Sequence, residues 1–485
     1  MLNSKMTSST PVDQPLYQPR KAVYPKAVDG FFRRLKWAIM AVTLAIYYVT
    51  PWLRWNRGEY APNQAVLIDM AHRRFFMFSI EIWPHEFYFV AGLLIMAGIG
   101  LFLVTSAVGR AWCGYACPQT VWTDLFVHIE RAIDGDRNAQ TRLAAAPWTP
   151  GKIARRLLKW SVWLLIAAAT GGAWIFYFAD APTLFMDMIR GDAAPIAYLT
   201  VLVLTATTYV LGGLMREQVC TYMCPWPRIQ AAMVDSETMS VTYLKARGEP
   251  RGPHKKGASW DGRGDCIDCN QCIAACPMGI DIRDGDQLEC INCALCIDAC
   301  DDIMAKIGRP HGLIAYQSVA NIERKAKGRP SALRFLRART VLYAVVLSAV
   351  AAVMLFALAT RSPIDVNVLR DRNPMFVRLQ NGDIRNAYTV KLMNRSDEAM
   401  SVEVTVEGLS GAILQEGGQR AADGRADRLT VAVNPDELRS IRVLVTAPAA
   451  ISTEESVPVA VVARDTVSGA STSSDSVFMT GAGKP

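Results

Sequence analysis

Five stretches of the chain run free of charge for long enough to cross a bilayer's hydrocarbon core as helices: about Trp37 to Leu53, Phe87 to Gly109, Trp160 to Ala179, Ala193 to Met215 and Thr340 to Thr360. One such stretch also suits a buried helix of a soluble protein, but five with sharply charged flanks predict a polytopic membrane domain. Past the last stretch the period changes. Val402, Val404 and Val406 alternate with Glu403, Thr405 and Glu407, and Ile441, Val443 and Val445 repeat the alternation, as half-buried strands do. With turn-forming Asn381-Gly382-Asp383 and Asn394 to Asp397 between them, about seven or eight strands over residues 370–482 suit an immunoglobulin-like sandwich without the Cys and Trp landmarks of antibody domains.

The charged flanks give the spans a direction. Lys21, Lys26, Arg33, Arg34 and Lys36 precede the first, and Arg110, Arg131, Arg137, Arg142, Lys152, Arg155 and Arg156 lie between the second and third, so both segments are expected inside. Asp180, Asp187 and Asp192 against Arg190 place the next short loop outside, while Arg57, Arg73 and Arg74 fit the first outer loop less well. The expected order is then a cytoplasmic tail (1–36), four spans (37–215), a cytoplasmic segment (216–339), a fifth span (340–360) and a periplasmic domain (370–482). The tail carries Pro11, Pro15, Pro19 and Pro25 and lacks the apolar core and cleavage site of a signal peptide, so it is expected to stay in the cytoplasm. A net charge of +8 raises nucleic acid as a partner, but the basic residues sit beside apolar stretches and mark a membrane instead.

All twelve cysteines fall between Cys113 and Cys300, and this topology puts every one on the reducing side, the wrong distribution for a disulfide-stapled protein. Cys266, Cys269, Cys272 and Cys276, followed by Pro277, form C-x-x-C-x-x-C-x-x-x-C-P, and Cys290, Cys293, Cys296 and Cys300 repeat the spacing. Three thiolates of a tight loop converge on one cubane while the fourth points to the other. Cys266, Cys269, Cys272 and Cys300 are therefore assigned to one [4Fe-4S] cluster, and Cys290, Cys293, Cys296 and Cys276 to a second, in a ferredoxin-like α+β insertion at about 258–305. C-x-x-C pairs also serve zinc, but a tetrahedral zinc needs only four thiolates and gains nothing from a third Cys at the next step. Ile267, Ile273, Ile291, Leu295 and Ile297 are expected to keep water away, and Asp301 replaces the second proline with a negative charge.

Two further pairs, Cys113 and Cys117 before Pro118, and Cys220 and Cys224 before Pro225, follow the second and fourth spans like an internal repeat. On a helix the i, i+4 spacing sets both sulfurs on one face, and four thiolates then converge at the membrane surface. Arg110 and Arg216 are expected to favour the thiolates. Soft thiolates select Cu(I), zinc or an iron–sulfur cluster, and the ligand set alone leaves the metal open. His72, His85, His128, His254 and His311 show no paired spacing suited to haem.

With these motifs together, the chain resembles the FixG/CcoG (RdxA) family of cytochrome c oxidase accessory proteins over nearly its whole length. The resemblance implies a cupric reductase that converts Cu(II) to Cu(I) for assembly of cbb3-type cytochrome c oxidase. It makes Cys113, Cys117, Cys220 and Cys224 the catalytic copper site and the eight ferredoxin cysteines an electron relay with an unknown donor. The product would pass to the oxidase assembly machinery or to a copper chaperone or transporter, in a bacterial inner membrane. Two rivals keep the same clusters: a quinol-linked subunit like the NapH and NosR membrane proteins, and a non-enzymatic assembly scaffold.

Overall fold

The computed structural model describes residues 22–481 apart from 59–60, 256, 258, 331, 333, 397, 418–425 and 449–453; Pro11, Pro15, Pro19, Lys21 and Asp397 thus lie outside the described residues. The chain divides into two compact units, one made of residues 1–52, 66–75 and 82–350 and the other of 53–65, 76–81 and 351–485.

Among the described residues four helices are long and apolar enough to span a bilayer: Tyr88–Val108, Pro150–Ile175, Pro195–Met215 and Ala338–Ala359. The first expected span is a helix, Phe31–Val49, but it starts within the basic cluster rather than at Trp37 and does not join those four. Its start is fixed from outside: the carboxylate of Asp298, in the cysteine-rich block, accepts from the backbone N–H groups of Phe32 and Arg33 at 3.2 and 2.7 Å. Asp298 therefore caps a helix 266 residues away in sequence. The third span also begins early, at Pro150, with Thr149 as N-cap. Its first turns carry Lys152, Arg155, Arg156 and Lys159; the helix Pro118–Asp134 supplies the partners of Arg156 and Lys159, and Lys152 donates to the Ala144 and Ala146 carbonyls.

Lys159, 2% exposed, sits 2.8 Å from Glu130 and 2.7 Å from Asp134; Arg216 reaches Glu130 at 2.6 Å and Arg156 reaches Asp134 at 3.1 Å. Three cations thus share two carboxylates, and removing one carboxylate leaves buried charge uncompensated. Glu130→Gln is expected to cost about 3–5 kcal/mol, while Glu130→Met with Lys159→Met costs less than the two single changes added. Thermal denaturation of the detergent-solubilised chain checks this.

The cysteine-rich block carries the short helices Gln271–Ala275 and Leu295–Lys306 and a two-stranded antiparallel pair, Ser240–Tyr243 with Ile314–Gln317. Its core gathers Val241, Tyr243, Ile297, Met304, Leu313 and Ile314.

The second unit contains nine described strands in two antiparallel sheets. One runs Ile413–Glu416, Leu438–Ala447, Ile384–Asn394, Ile364–Arg370, with Val377–Arg378 also on Ile384–Asn394; the other runs Arg428–Val433, Met400–Glu407, Ser456–Asp465, Ser471–Met479. Val402 and Val404 face inward and pair with Val431 and Leu429. Ile441 pairs with Val390 and Val443 with Tyr388, and these inward residues form the core with Leu392, Val461 and Phe478. The sandwich begins at Ile364, six residues earlier than expected, and Asn381–Asp383 forms a turn with Gly382 in the left-handed region.

Candidate functional site: two cysteine cavities and a four-thiol face

The two copies of the cysteine motif coil in the same way. Asp268 and Asn270 in the first copy have φ of 55° and 56°, and Asn292 and Ala294 in the second have 52° and 60°. Left-handed residues at matching positions wind each C-x-x-C-x-x-C loop tightly, and an alanine held there costs about 1–2 kcal/mol per residue that surrounding structure must offset. The loops line two small cavities. One takes Cys266, Cys269, Cys272 and Cys300; the other takes Cys276, Cys290, Cys293 and Cys296, with Cys272 also on its wall. Ile291, Leu295 and Ile297 are buried, while Ile267 and Ile273 are half-buried.

Burial raises the thiols, Cys272 and Cys290 to about 11 and Cys276 and Cys300 to about 12, and pushes Cys296 up as well. Charge from neighbouring thiolates adds to this, so the deprotonated set needs positive charge at its centre. Four thiols around an apolar cavity suit a [4Fe-4S] cluster in each. Among the described residues no three Cys, His, Asp or Glu side chains close around the position of a single metal ion.

The two Cys-Pro pairs are arranged otherwise than expected from helical spacing. Cys113 lies in a short helix, Ala111–Tyr115, whereas Cys117 is extended, at φ −59° and ψ 128°, and precedes the helix Pro118–Asp134. Cys220 sits in a π-helical turn, Val219–Met223, and Cys224 is extended at φ −80° and ψ 124°. Pro118 and Pro225 are the cause: a proline pushes the residue before it out of the helical region. The pairs thus straddle helix breaks instead of sharing a helix face.

All four thiols nevertheless act on one another. Cys113 is raised to about 11 by burial and then by Cys117, and Cys220 to about 12 by burial and then by Cys117 and Cys113; Cys224 adds to both. The arginines do not prevail as expected. Arg110 lowers Cys113, but burial outweighs it, and Arg216 is engaged by Glu130 and the Gly213 carbonyl. Cys113 Sγ donates to Gln230 Oε1 at 3.0 Å, and the fully buried Gln230 donates in turn to Thr105 Oγ1 at 3.3 Å. No sequence spacing singles out Gln230.

The short Cys113 helix lies directly on the second cysteine loop. A Cβ on Gly114 would meet the Ile291 carbonyl at 2.6 Å and Cys293 Cα at 2.9 Å, so this approach requires glycine. Tyr115 donates to the Cys293 carbonyl at 3.1 Å. Arg110 donates to the carbonyls of Cys290 at 3.0 Å, Pro227 at 2.8 Å and Leu288. Glycine inside C-G-Y-A-C-P was the available sequence signal for this junction. The histidines serve elsewhere: His72 bonds Asp69, His128 abuts Trp37 and His254 stacks on Trp260.

Residues 215–319 match the family model of the 4Fe-4S dicluster domain, residues 89–134 that of a 4Fe-4S binding domain, and residues 354–481 that of the Ig-like fold at the C-terminus of FixG. Together with the apolar helices, these define a membrane iron–sulfur protein with ferredoxin-type domains and an Ig-like domain. The nitrogen fixation protein FixG of Rhizobium meliloti is 52% identical over 475 residues, covering 92% of this chain and 90% of the relative. Proteins RdxB and RdxA of Cereibacter sphaeroides are 56% and 54% identical, covering 86% and 90% of this chain and 88% and 92% of theirs. A crystal structure of a FixG-related protein from Vibrio parahaemolyticus is 19% identical, covering 24% of this chain and 97% of that one, at a TM-score of 0.21. The chain belongs to the FixG/RdxA family.

Proposed function

We propose that this chain is a cupric reductase, in which Cys266, Cys269, Cys272 and Cys300 hold one [4Fe-4S] cluster, Cys276, Cys290, Cys293 and Cys296 hold a second, and Cys113, Cys117, Cys220 and Cys224 bind copper as substrate. The observation that carries the reading is the seating of the Cys113 helix on the second cysteine loop through Gly114 and Tyr115. Bound clusters supply single electrons at low potential. Cu(II) takes up one electron to become Cu(I), which thiolates hold better than they hold the oxidised ion. Gln230 keeps Cys113 oriented, and Arg110 offsets part of the negative charge that deprotonation brings. The donor is a one-electron reductant on the cytoplasmic side, in a topology of five spans with the N-terminus inside and the Ig-like domain in the periplasm. Cu(I) passes to a copper chaperone or transporter, or to the assembly machinery of cbb3-type cytochrome c oxidase.

Replacing Cys113 and Cys220 together with serine is expected to abolish Cu(II) reduction while iron stays at about eight per chain. Unchanged reduction would remove the copper site. A second reading is favoured by the match of a 4Fe-4S binding domain to residues 89–134, which contain Cys113 and Cys117: the four thiols hold a third cluster. It predicts about twelve irons in the parent protein and about eight in the double variant, so the same preparation separates the two.

A further inference from the structure

The two cysteine cavities differ in the charge around them. Beside the first, Asp301 follows Cys300 directly, and Asp268 lies between Cys266 and Cys269. The cation on that wall, Arg283, is divided between two carboxylates, Asp281 at 2.6 Å and Asp268 at 2.5 Å. Nearby Asp265 is itself held between Arg247 and Arg309.

Beside the second cavity the balance reverses. Arg110, 7% exposed, donates to the carbonyls of Cys290, Leu288 and Pro227 and not to a carboxylate. Its acidic neighbours Asp286 and Glu289 are exposed and half-exposed, so water screens them more than it screens Arg110. Behind Ile291 and Leu295 a further small cavity extends to Cys220, and Arg33 and Lys36 line it. These buried cations share one carboxylate, Asp124, at 2.9 and 3.7 Å, and Arg33 Nη2 has no hydrogen-bond partner. Glu217 adds a second carboxylate beside Cys220, but Arg33, Lys36, Arg131 and Arg216 still outnumber the lining carboxylates between the second cysteine set and the four-thiol face. Exposure marks the entry point for electrons: of the twelve cysteines only Cys269, in the first set, is exposed.

We propose that Arg110, Arg33 and Lys36 are tuning residues that hold the reduction potential at the second cavity above that at the first. Net charge, hydrogen bonds and solvent exposure around the thiolates set such potentials, and buried cations favour the more negative, reduced state. Electrons entering at the exposed Cys269 side then come to rest beside Cys113 and Cys220. The inference deepens the cluster assignment above and rests on it.

The test is an anaerobic redox titration of the full chain in detergent, followed by electron paramagnetic resonance and with iron measured on the same sample. Two cluster signals with separate potentials are expected. Arg110→Gln lowers only the higher one, shifting the electron-exchange equilibrium between the centres about tenfold, or about 59 mV for a one-electron couple. Arg110→Lys keeps most of the separation. Asp301→Asn, which leaves the second cavity untouched, raises only the lower potential, so the proposal stays testable if the Arg110 variants fail to fold. Two signals of equal potential, or an Asp301→Asn protein whose lower potential does not rise, would overturn the tuning while leaving the clusters in place. A parent protein with no iron overturns the cluster assignment and the tuning together.

Discussion

Cys276→Ser protein, prepared without oxygen, is expected to lose the same iron–sulfur signal as Cys293→Ser, and Cys300→Ser the same signal as Cys269→Ser. Each variant retains about four of about eight irons. The expectation follows from how the cavities are lined: Cys276, though it closes the first motif, faces the cavity of Cys290, Cys293 and Cys296, and Cys300 faces that of Cys266, Cys269 and Cys272. The extended backbone of Cys276, at φ −70° and ψ 121° before Pro277, turns it away from its own loop, again through the constraint a proline places on its predecessor. Serine cannot replace the thiolate, because an alkoxide is harder to form and a poorer soft-metal ligand, and burial already opposes the charged form at Cys276. If each motif filled its own cluster instead, Cys276→Ser would pair with Cys269→Ser, and the interleaved assignment would fall.

Much of this site was legible because the residues that carry it are local in sequence. The cysteine motifs group the eight thiols as the two cavities do except for Cys272, which lines both, and the alternation of Val402 with Val404 and of Ile441 with Val443 marks inward positions of the sandwich. What was misread depends on distant partners or on a constraint given too little weight. The first helix starts at Phe31 because Asp298 caps it from the cysteine block. The third starts at Pro150 because Glu130 and Asp134 neutralise Lys159 and Arg156, so charge marks the end of the apolar stretch but not the end of the helix. Arg216 stands within a turn or so of Cys220 in sequence, yet its guanidinium goes to Glu130, 86 residues away. The i, i+4 reading of the Cys-Pro pairs was avoidable, since the proline after each second cysteine already forbids a continuous helix there.

Gly114 offers the sharpest test of whether the four-thiol face must touch the second cysteine loop. Its nearest neighbours across the junction are backbone atoms, the Ile291 carbonyl and Cys293 Cα and N, so an added side chain finds no flexible group to displace. Gly114→Leu is expected to cost the docked arrangement about 1–3 kcal/mol or more, as overpacking does, which depletes it about 5- to 150-fold. Two readouts should move together. Alkylation of Cys113, half-buried and bonded to Gln230 in the docked state, should speed up, and Cu(II) reduction should fall by a similar factor. Iron content should stay unchanged, because none of the eight ferredoxin cysteines is altered. The loss should be far smaller for Tyr115→Phe, which removes one hydrogen bond to the Cys293 carbonyl, worth about 0.5–1.5 kcal/mol, and keeps the ring in place. Reduction at the parent rate in Gly114→Leu, with Cys113 readily alkylated, would mean that copper receives its electron by a route that bypasses this junction.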